Sequence, residues 1–390
     1  MNIVFFSNPD FTGSENAPKF TSMHRFTAML AEGMAKRGHE VTIWSPKRKF
    51  FTLAQSPALK KWLGYIDQYI VFPVTVKKRL KKCPPDTLFV FTDQAQGPWV
   101  PMVADRRHVM HCHDFLAQLS AMGKIVQHKT SWTGKIYQKF IRSGYEKGKN
   151  FISVSHKTDQ VLQQLLPYKP ASTAVVYNGL DKAYRPFYYA KARRLMTKKT
   201  GIDLTSGYLL HVGGNQWYKN REGVVEIYSA WRMQSEYVLP LLMIGPAPSQ
   251  TVKQQLEKSP FRKDIHFISN LSDEFVQYAY SGANVFLFPS HAEGFGWPIA
   301  EAMASGCPVL TTDLAPMTEV AAGAAFLITP RGPENEETWA TRAAVTLQQM
   351  INLSAFNRKA VIAAAISNVK RFDANTALEK IEFIYAHINN

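Results

Sequence analysis

The sequence predicts an α/β protein built from two doubly wound parallel-sheet domains. Short apolar runs alternate with helical stretches along the whole chain, the signature of parallel strands with helical crossovers. The alternation stops once, in a basic polar segment after Pro186, and restarts at GYLLHVGG. With 390 residues, 46% of them hydrophobic and 19% charged, the chain is long enough for more than one core.

The elements follow in order. NIVFFS at 2–7 reads as a buried strand. A polar Gly/Pro loop runs through Thr21, and Met23, Phe26, Met29, Leu30 and Met34 then recur at helical spacing until Gly38 stops the helix. Strand-like runs follow at 41–44, 89–91, 108–112 and 151–155. Beyond AKARRLMTKKT come LLHV, LPLLMIG (239–245), DIHFIS (264–269), NVFLFPS (284–290) and PVLTT (308–312), with helices between. Expected domains are 1–190, 205–370 and a C-terminal helix, 371–390. No short-period repeat is apparent. Ligands of open parallel sheets bind beyond the strands' carboxyl ends, and two such sheets facing each other are expected to form a cleft. The loops expected to line it are 8–21, 113–118, 213–220, 246–250 and 291–298.

Composition narrows the function classes. Cys83, Cys112 and Cys307 have no paired spacing, so neither a disulfide framework nor a zinc cluster is expected. The opening MNIVFFSNPD has no basic leader pattern and no apolar run reaches spanning length, so a cytoplasmic protein is expected. The formal charge of +16 is unevenly placed: residues 1–200 hold 32 Lys and Arg against 12 Asp and Glu, residues 201–390 hold 14 against 18. Basic clusters at Lys47–Lys49, Lys60-Lys61 and Lys77–Lys82 lie near Phe50, Phe51, Trp62 and Leu63. Such a surface suits anionic lipid headgroups or, equally, is a solvated basic face. Nucleic acid is the least favoured partner, because no recognised module or stacking platform accompanies the charge.

The densest signal is FPSHAEGFGWPIAEAMASGCPVLTTD, residues 288–313, which reads as strand, glycine-rich loop, helix, glycine stop and strand. Pro298 suits the first turn of a helix. Gly294 and Gly296 allow close approach of a bound group to the backbone, and the N–H groups at the helix start can receive an anion or sugar hydroxyls. Glu293 and Glu301 can each accept neighbouring hydroxyl protons from one sugar or ribose ring. A purely structural Glu301 would instead complement the helix dipole.

These blocks resemble the retaining, nucleotide-sugar-dependent glycosyltransferases of family 4, which have the GT-B fold. The similarity extends in order through LAEGMAKRGHEVTIWSP (30–46), HCHDF (111–115), FISVSHKTDQVL (151–162), VVYNGLDKAYRP (175–186), LLHVGGNQWYKN (209–220) and PMTEV (316–320). The resemblance implies a donor-binding second domain and an acceptor-binding first. Glu301 would bind the nucleotide ribose. Glu293, with the backbone of Gly294, Phe295 and Gly296, would hold the donor sugar and its phosphate. Lys219 would neutralise the departing diphosphate, beside Gly213, Gly214 and Asn215. His113 would serve the sugar, with His111 a structural histidine bonded to backbone. Glu319 would either bond backbone near the 291–296 loop or support a helix N-terminus.

Two features depart from the family. The Arg that many members carry shortly before the lysine is absent, and Arg221 is the nearest substitute in sequence. In the first loop Gly13 is the only glycine. No nucleophile pair is evident, so a front-face route to retention is expected, in which the leaving phosphate takes the acceptor proton. The nucleotide sugar is a substrate, and neither a cofactor nor a metal is expected. The activity expected is transfer to a lipid-linked or polysaccharide acceptor at a membrane surface. The alternatives are a soluble glucan or disaccharide synthase and a non-catalytic sugar-binding protein.

Overall fold

The computed structural model describes residues 1–9, 22–125 and 127–388. They form two compact units: Met1–Tyr177 together with the chain from Asn375 on, and Asn178–Ala374.

The first unit is a parallel sheet of β1 (Asn2–Phe6), β2 (Glu40–Trp44), β3 (Leu88–Phe91), β4 (His108–Cys112), β5 (Asn150–Ser153) and β6 (Ser172–Val175), in the order β2-β1-β3-β4-β5-β6. The central strands are buried on both faces, as their unbroken apolar runs predict. On one face Phe6 stacks on Phe91 at 4.5 Å between ring centroids and meets Trp44 and Phe72 edge-on. On the other, Phe26, Leu30 and Met34 share a core with Leu378, Ile381 and Tyr385 of the helix Ala374–His387. A Cβ at Gly33 would come within 2.6 Å of the Leu378 side chain, so glycine lets that leucine lie directly against the facing helix.

The second unit holds β7 (Leu209–Val212), β8 (Leu241–Ile244), β9 (Ile265–Ile268), β10 (Val285–Phe288), β11 (Val309–Thr312) and β12 (Phe326–Ile328), ordered β12-β11-β10-β7-β8-β9. All neighbours are parallel. Strand order reverses between β7 and β10, so the loops leaving these two strands diverge and leave a crevice between them.

Three features differ from the sequence reading. β6 and β12 were not expected: both are short edge strands, and Ser172-Thr173-Ala174-Val175 has no apolar run to announce it. The units divide at Tyr177 and Asn178, upstream of the expected boundary at 190. The basic segment there is a helix, Tyr189–Thr200, of the second unit: Ala192 and Met196 are buried one turn apart, and Arg193 donates to the Gly282 carbonyl at 2.8 Å and to Asn284 Oδ1 at 2.9 Å. Two apolar residues suffice because hydrogen bonds complete the docking.

In the first unit, the 3₁₀ segment Gln94–Met102 crosses the helix Trp132–Tyr145 through Gly97 and Gly144. A Cβ on Gly144 would lie 2.2 Å from the Gly97 carbonyl oxygen and 2.7 Å from Pro98 N, and both obstacles are backbone. Gly144→Ala is therefore expected to cost about 1–3 kcal/mol through overpacking, seen as a lowered melting midpoint, while Gly134→Ala, which meets only side-chain atoms, costs less.

Candidate active site

Lys219 ends the 3₁₀ turn Trp217–Lys219 in the loop after β7, and Glu293 lies in the loop after β10. Lys219 Nζ donates to both carboxylate oxygens of Glu293, at 2.8 and 3.0 Å. Their side chains are only 14% and 7% exposed. Nζ also lies 5.0 Å from the ring centre of Phe288 and 5.5 Å from that of Tyr218. The pair thus joins the two loops at the point where strand order reverses.

Asn220 braces the same junction. Its φ of 49° is left-handed, its Oδ1 caps the helix Arg221–Gln234 by accepting from Gly223 N at 3.1 Å, and its Nδ2 donates to the Pro289 carbonyl at 2.9 Å. The backbone adds a bond from His291 N to the Tyr218 carbonyl at 2.8 Å. Asparagine tolerates this conformation and caps helices, so position 220, just before REGVVEIY, carried a readable signal.

The next helix, Trp297–Ala304, begins at Gly296, whose φ of 100° favours glycine. Pro298, in its first turn, brings no N–H, which narrows the expected cradle of amides. Gly294 sits in the loop beside Glu293. The Phe295 ring is buried and packs at 5.3 Å against Phe372, so this residue pins the loop through its side chain. Glu301 lies on the helix's second turn, and its Oε2 accepts from the Tyr280 hydroxyl at 3.0 Å. Burial, and secondarily Glu301 itself, raises the Tyr280 phenol well above its usual range, so it stays a donor. Nothing in the sequence around Tyr280 signalled this role.

Gly213 donates its N–H to the Ile244 carbonyl at 3.0 Å, and a Cβ on Gly245 would fall 2.1 Å from the Gly213 oxygen. Gly214 adjoins the Gln216 side chain. Asn215 Nδ2 donates to the Ala247 carbonyl at 2.7 Å, and its Oδ1 accepts from Arg221. Arg221 is buried, donates also to the Pro246 carbonyl at 3.0 Å and lies 5.5 Å from the Phe267 ring. Its hydrogen-bond partners are therefore in the loops after β7 and β8, and Glu293 is not among them. His211, inside β7, is fully buried, with Nδ1 bonded to the Leu287 carbonyl at 2.9 Å and Nε2 unpartnered. Burial, reinforced by the nearby Arg221 and Lys219 charges, lowers its pKa to about 3.

In the first unit, His113 follows β4. Its Nε2 lies 3.0 Å from the Thr92 carbonyl, which can only accept, so Nε2 carries the hydrogen and Nδ1 is left as the acceptor. Its backbone N–H donates to Gln94 Oε1 at 2.9 Å, and its ring meets Phe26 edge-on at 4.5 Å. Burial lowers its pKa against the opposing pull of Asp93. Around it Asn8 donates to Asp93 at 2.7 Å and Gln96 donates to Asn8 at 3.1 Å, a polar group at the β1/β3 reversal that sequence reasoning missed. His111 is bonded to the Tyr385 hydroxyl at 2.7 Å, in place of the backbone partner expected. Glu319 lies in the first turn of the helix Met317–Ala321. Gly13 lies outside the described residues. Among the described residues, no three His, Cys, Asp or Glu side chains cluster as a metal site.

Two six-stranded, Rossmann-like parallel sheets with flanking helices are the architecture of the GT-B class. Residues 192–348 match the family described as Glycosyl transferases group 1, and residues 23–184 match Glycosyltransferase Family 4. The chain belongs to glycosyltransferase family 4. It is 31% identical over 126 residues to O-antigen chain mannosyltransferase B of Escherichia coli, a stretch covering 32% of this chain and 33% of that protein. It is 24% identical over 303 residues to the lipopolysaccharide glucosyltransferase WaaG of Escherichia coli K12, covering 75% and 77%. The match thus spans about a third of the first relative and most of the second. Among solved structures, Anabaena HepE in complex with UDP and glucose superposes with a TM-score of 0.72 at 18% identity, over 99% of each chain.

The buried histidines give the fold an acid limb. His111 and His211 are each held down to about 3 by burial, whereas an unfolded histidine titrates near 6.5. Below that pH the unfolded chain binds protons that the folded chain refuses, so stability present at pH 7 is lost as pH falls toward 3, by about 2 kcal/mol per histidine at pH 5. His211→Asn, whose amide N–H takes the place of Nδ1–H toward the Leu287 carbonyl, should melt with a shallower pH dependence between 6.5 and 5. An unchanged slope would mean that His211 already accepts a proton in the folded state.

Proposed function

We propose that the protein transfers a sugar from a nucleoside-diphosphate donor to a glycan or lipid-linked acceptor, with retention of anomeric configuration. The observation that carries this reading is the bidentate Lys219–Glu293 pair at the reversal point of the second sheet, one helix ahead of Glu301. Nucleoside diphosphates suit such reversal points. The named relatives add sugars to O-antigen and lipopolysaccharide, and HepE binds UDP.

In this reading Glu301, oriented by Tyr280, accepts from the ribose hydroxyls. Two N–H bonds of the Lys219 ammonium go to Glu293 and the third faces the diphosphate; Glu293 in turn accepts from the donor sugar's hydroxyls. The bond from the anomeric carbon to the phosphate oxygen breaks, the acceptor oxygen bonds that carbon from the same face, and the acceptor proton passes to the departing phosphate oxygen. Lys219 meets the charge that develops there, so the reaction is assigned no protein-bound metal. Arg221 fixes the loop that carries Lys219, and Gly213 and Gly214 leave room for the phosphates. His113, neutral and with Nδ1 open as an acceptor, takes a hydrogen bond from a sugar hydroxyl. A lipid-linked acceptor places the reaction at the membrane surface, and the basic first unit supports that location.

A thermal-shift screen of UDP-, GDP- and ADP-sugars should show a rise with one base only, since specific binding stabilises by mass action. Glu301→Ala should lose that rise. Lys219→Ala should keep part of it and lose at least about a hundredfold in transfer, the scale for removing one preorganised stabiliser of developing charge. No response to any nucleotide sugar, or an undiminished response in Glu301→Ala, would remove this site from donor binding.

A further inference from the structure

We propose that the helices Pro57–Ile66 and Trp132–Tyr145 of the first unit form an insertion face for a bilayer carrying anionic headgroups, with Trp62, Trp132, Ile136 and Phe140 entering the interfacial layer. The inference rests on the reading of a membrane-surface acceptor and gives it a defined surface.

A surface helix normally turns its apolar stripe inward. The helix Trp132–Tyr145 does so with Ile141, Gly144 and Tyr145, which are buried. It also carries a second apolar stripe on the outside, Trp132, Ile136 and Phe140, spaced one turn apart. Trp132 is 73% exposed and Ile136 57%. On the neighbouring helix Trp62 is 64% exposed. Ring contacts connect Trp62 to Phe140 through the tyrosines between the helices: Trp62 meets Tyr65 at 5.9 Å, Tyr65 meets Tyr69 at 6.0 Å and Tyr137 at 5.4 Å, and Tyr69 meets Phe140 at 5.2 Å. The Tyr69 hydroxyl, on the helical segment Asp67–Val71 that continues the first helix, lies 2.7 Å from the Tyr137 hydroxyl and ties the two elements together beneath it. A contiguous apolar surface of this kind marks an interaction site.

Charge selects the occupant. Neither helix contains an acidic residue, and Lys61, Lys135 and Lys139 are exposed among the apolar side chains. The basic turn Lys47–Phe51 is held against the same helical segment by Asp67, a buried carboxylate that accepts the N–H groups of Lys49, Phe50 and Phe51 at 3.0, 3.0 and 2.9 Å. Tryptophan and tyrosine favour the headgroup layer, while lysines reach from it to anionic phosphates. A nucleic-acid backbone would use the lysines and leave Ile136 and Phe140 in water. A bilayer uses both, and binding then scales with buried apolar area plus electrostatic attraction.

The full-length chain is to be sedimented with phosphatidylcholine vesicles and with vesicles containing about 30% phosphatidylglycerol, in parallel with the triple variant Trp62→Ser, Trp132→Ser, Ile136→Ser. An unchanged melting midpoint shows that the variant is folded. The native chain should bind the anionic vesicles, and its tryptophan emission should be quenched by lipids brominated on their acyl chains. The variant should bind at least tenfold more weakly and lose that quenching. Equal binding of variant and native chain, or native binding without quenching, would overturn the proposal. A native chain that inserts but binds no nucleotide sugar would uphold this face and overturn the catalytic reading instead.

Discussion

The bidentate pair between Lys219 and Glu293 spans a gap that the topology of the second sheet creates. Strands β7 and β10 are hydrogen-bonded neighbours, yet the loops leaving them run toward opposite faces. Something must hold those loop ends in register. A neutral pair with both side chains mostly buried does so only if each partner stays, because removing one strands the other charge in a low-dielectric setting at a cost of about 3–5 kcal/mol. Asn220 and the bond from His291 N to the Tyr218 carbonyl repeat the link without charge. The geometry is therefore set before any ligand arrives, as electrostatic stabilisation of a transition state requires.

The first unit braces its own reversal point with hydrogen bonds. Between β1 and β3, Asn8, Thr92, Asp93 and Gln96 form a hydrogen-bonded set in which the single carboxylate accepts from Asn8 Nδ2 and from the Ala95 N–H. The consequence falls on His113, whose tautomer is dictated by the Thr92 carbonyl. A histidine held this way is an acceptor at one defined atom.

Much of this was legible in the sequence, and the exceptions share a cause. Strands that are buried on both faces announce themselves as apolar runs, so β1, β3, β4, β7, β8 and β10 could be read directly. Edge strand β6 buries little and looks like a loop, while β12, though apolar, is only three residues long. The EGFGWPIAEAM block gave the loop, the helix and both glutamates because local backbone demands, a left-handed glycine and a first-turn proline, are written locally. What could not be read were partners distant in sequence: Tyr280 for Glu301, Tyr385 for His111, and Asp67 for the backbone of 49–51. Each depends on which faces tertiary packing brings together, and no local periodicity encodes that.

Arg221 shows how a substitution in sequence need not be a substitution in space. The chain lacks an arginine shortly ahead of Lys219, and Arg221 is the nearest cation in sequence. Yet its guanidinium is buried against Phe267 and tied to Asn215 and the Pro246 carbonyl, so it joins the loops after β7 and β8 rather than those after β7 and β10. Burial lowers its pKa, but a guanidinium begins so high that it remains charged. Together with Lys219 it helps keep His211 neutral, so no third positive charge forms behind the loop. Arg221 therefore acts on Lys219 through the shape of the loop they share and through the local field, which leaves the ammonium of Lys219 as the cation paired to the loop after β10.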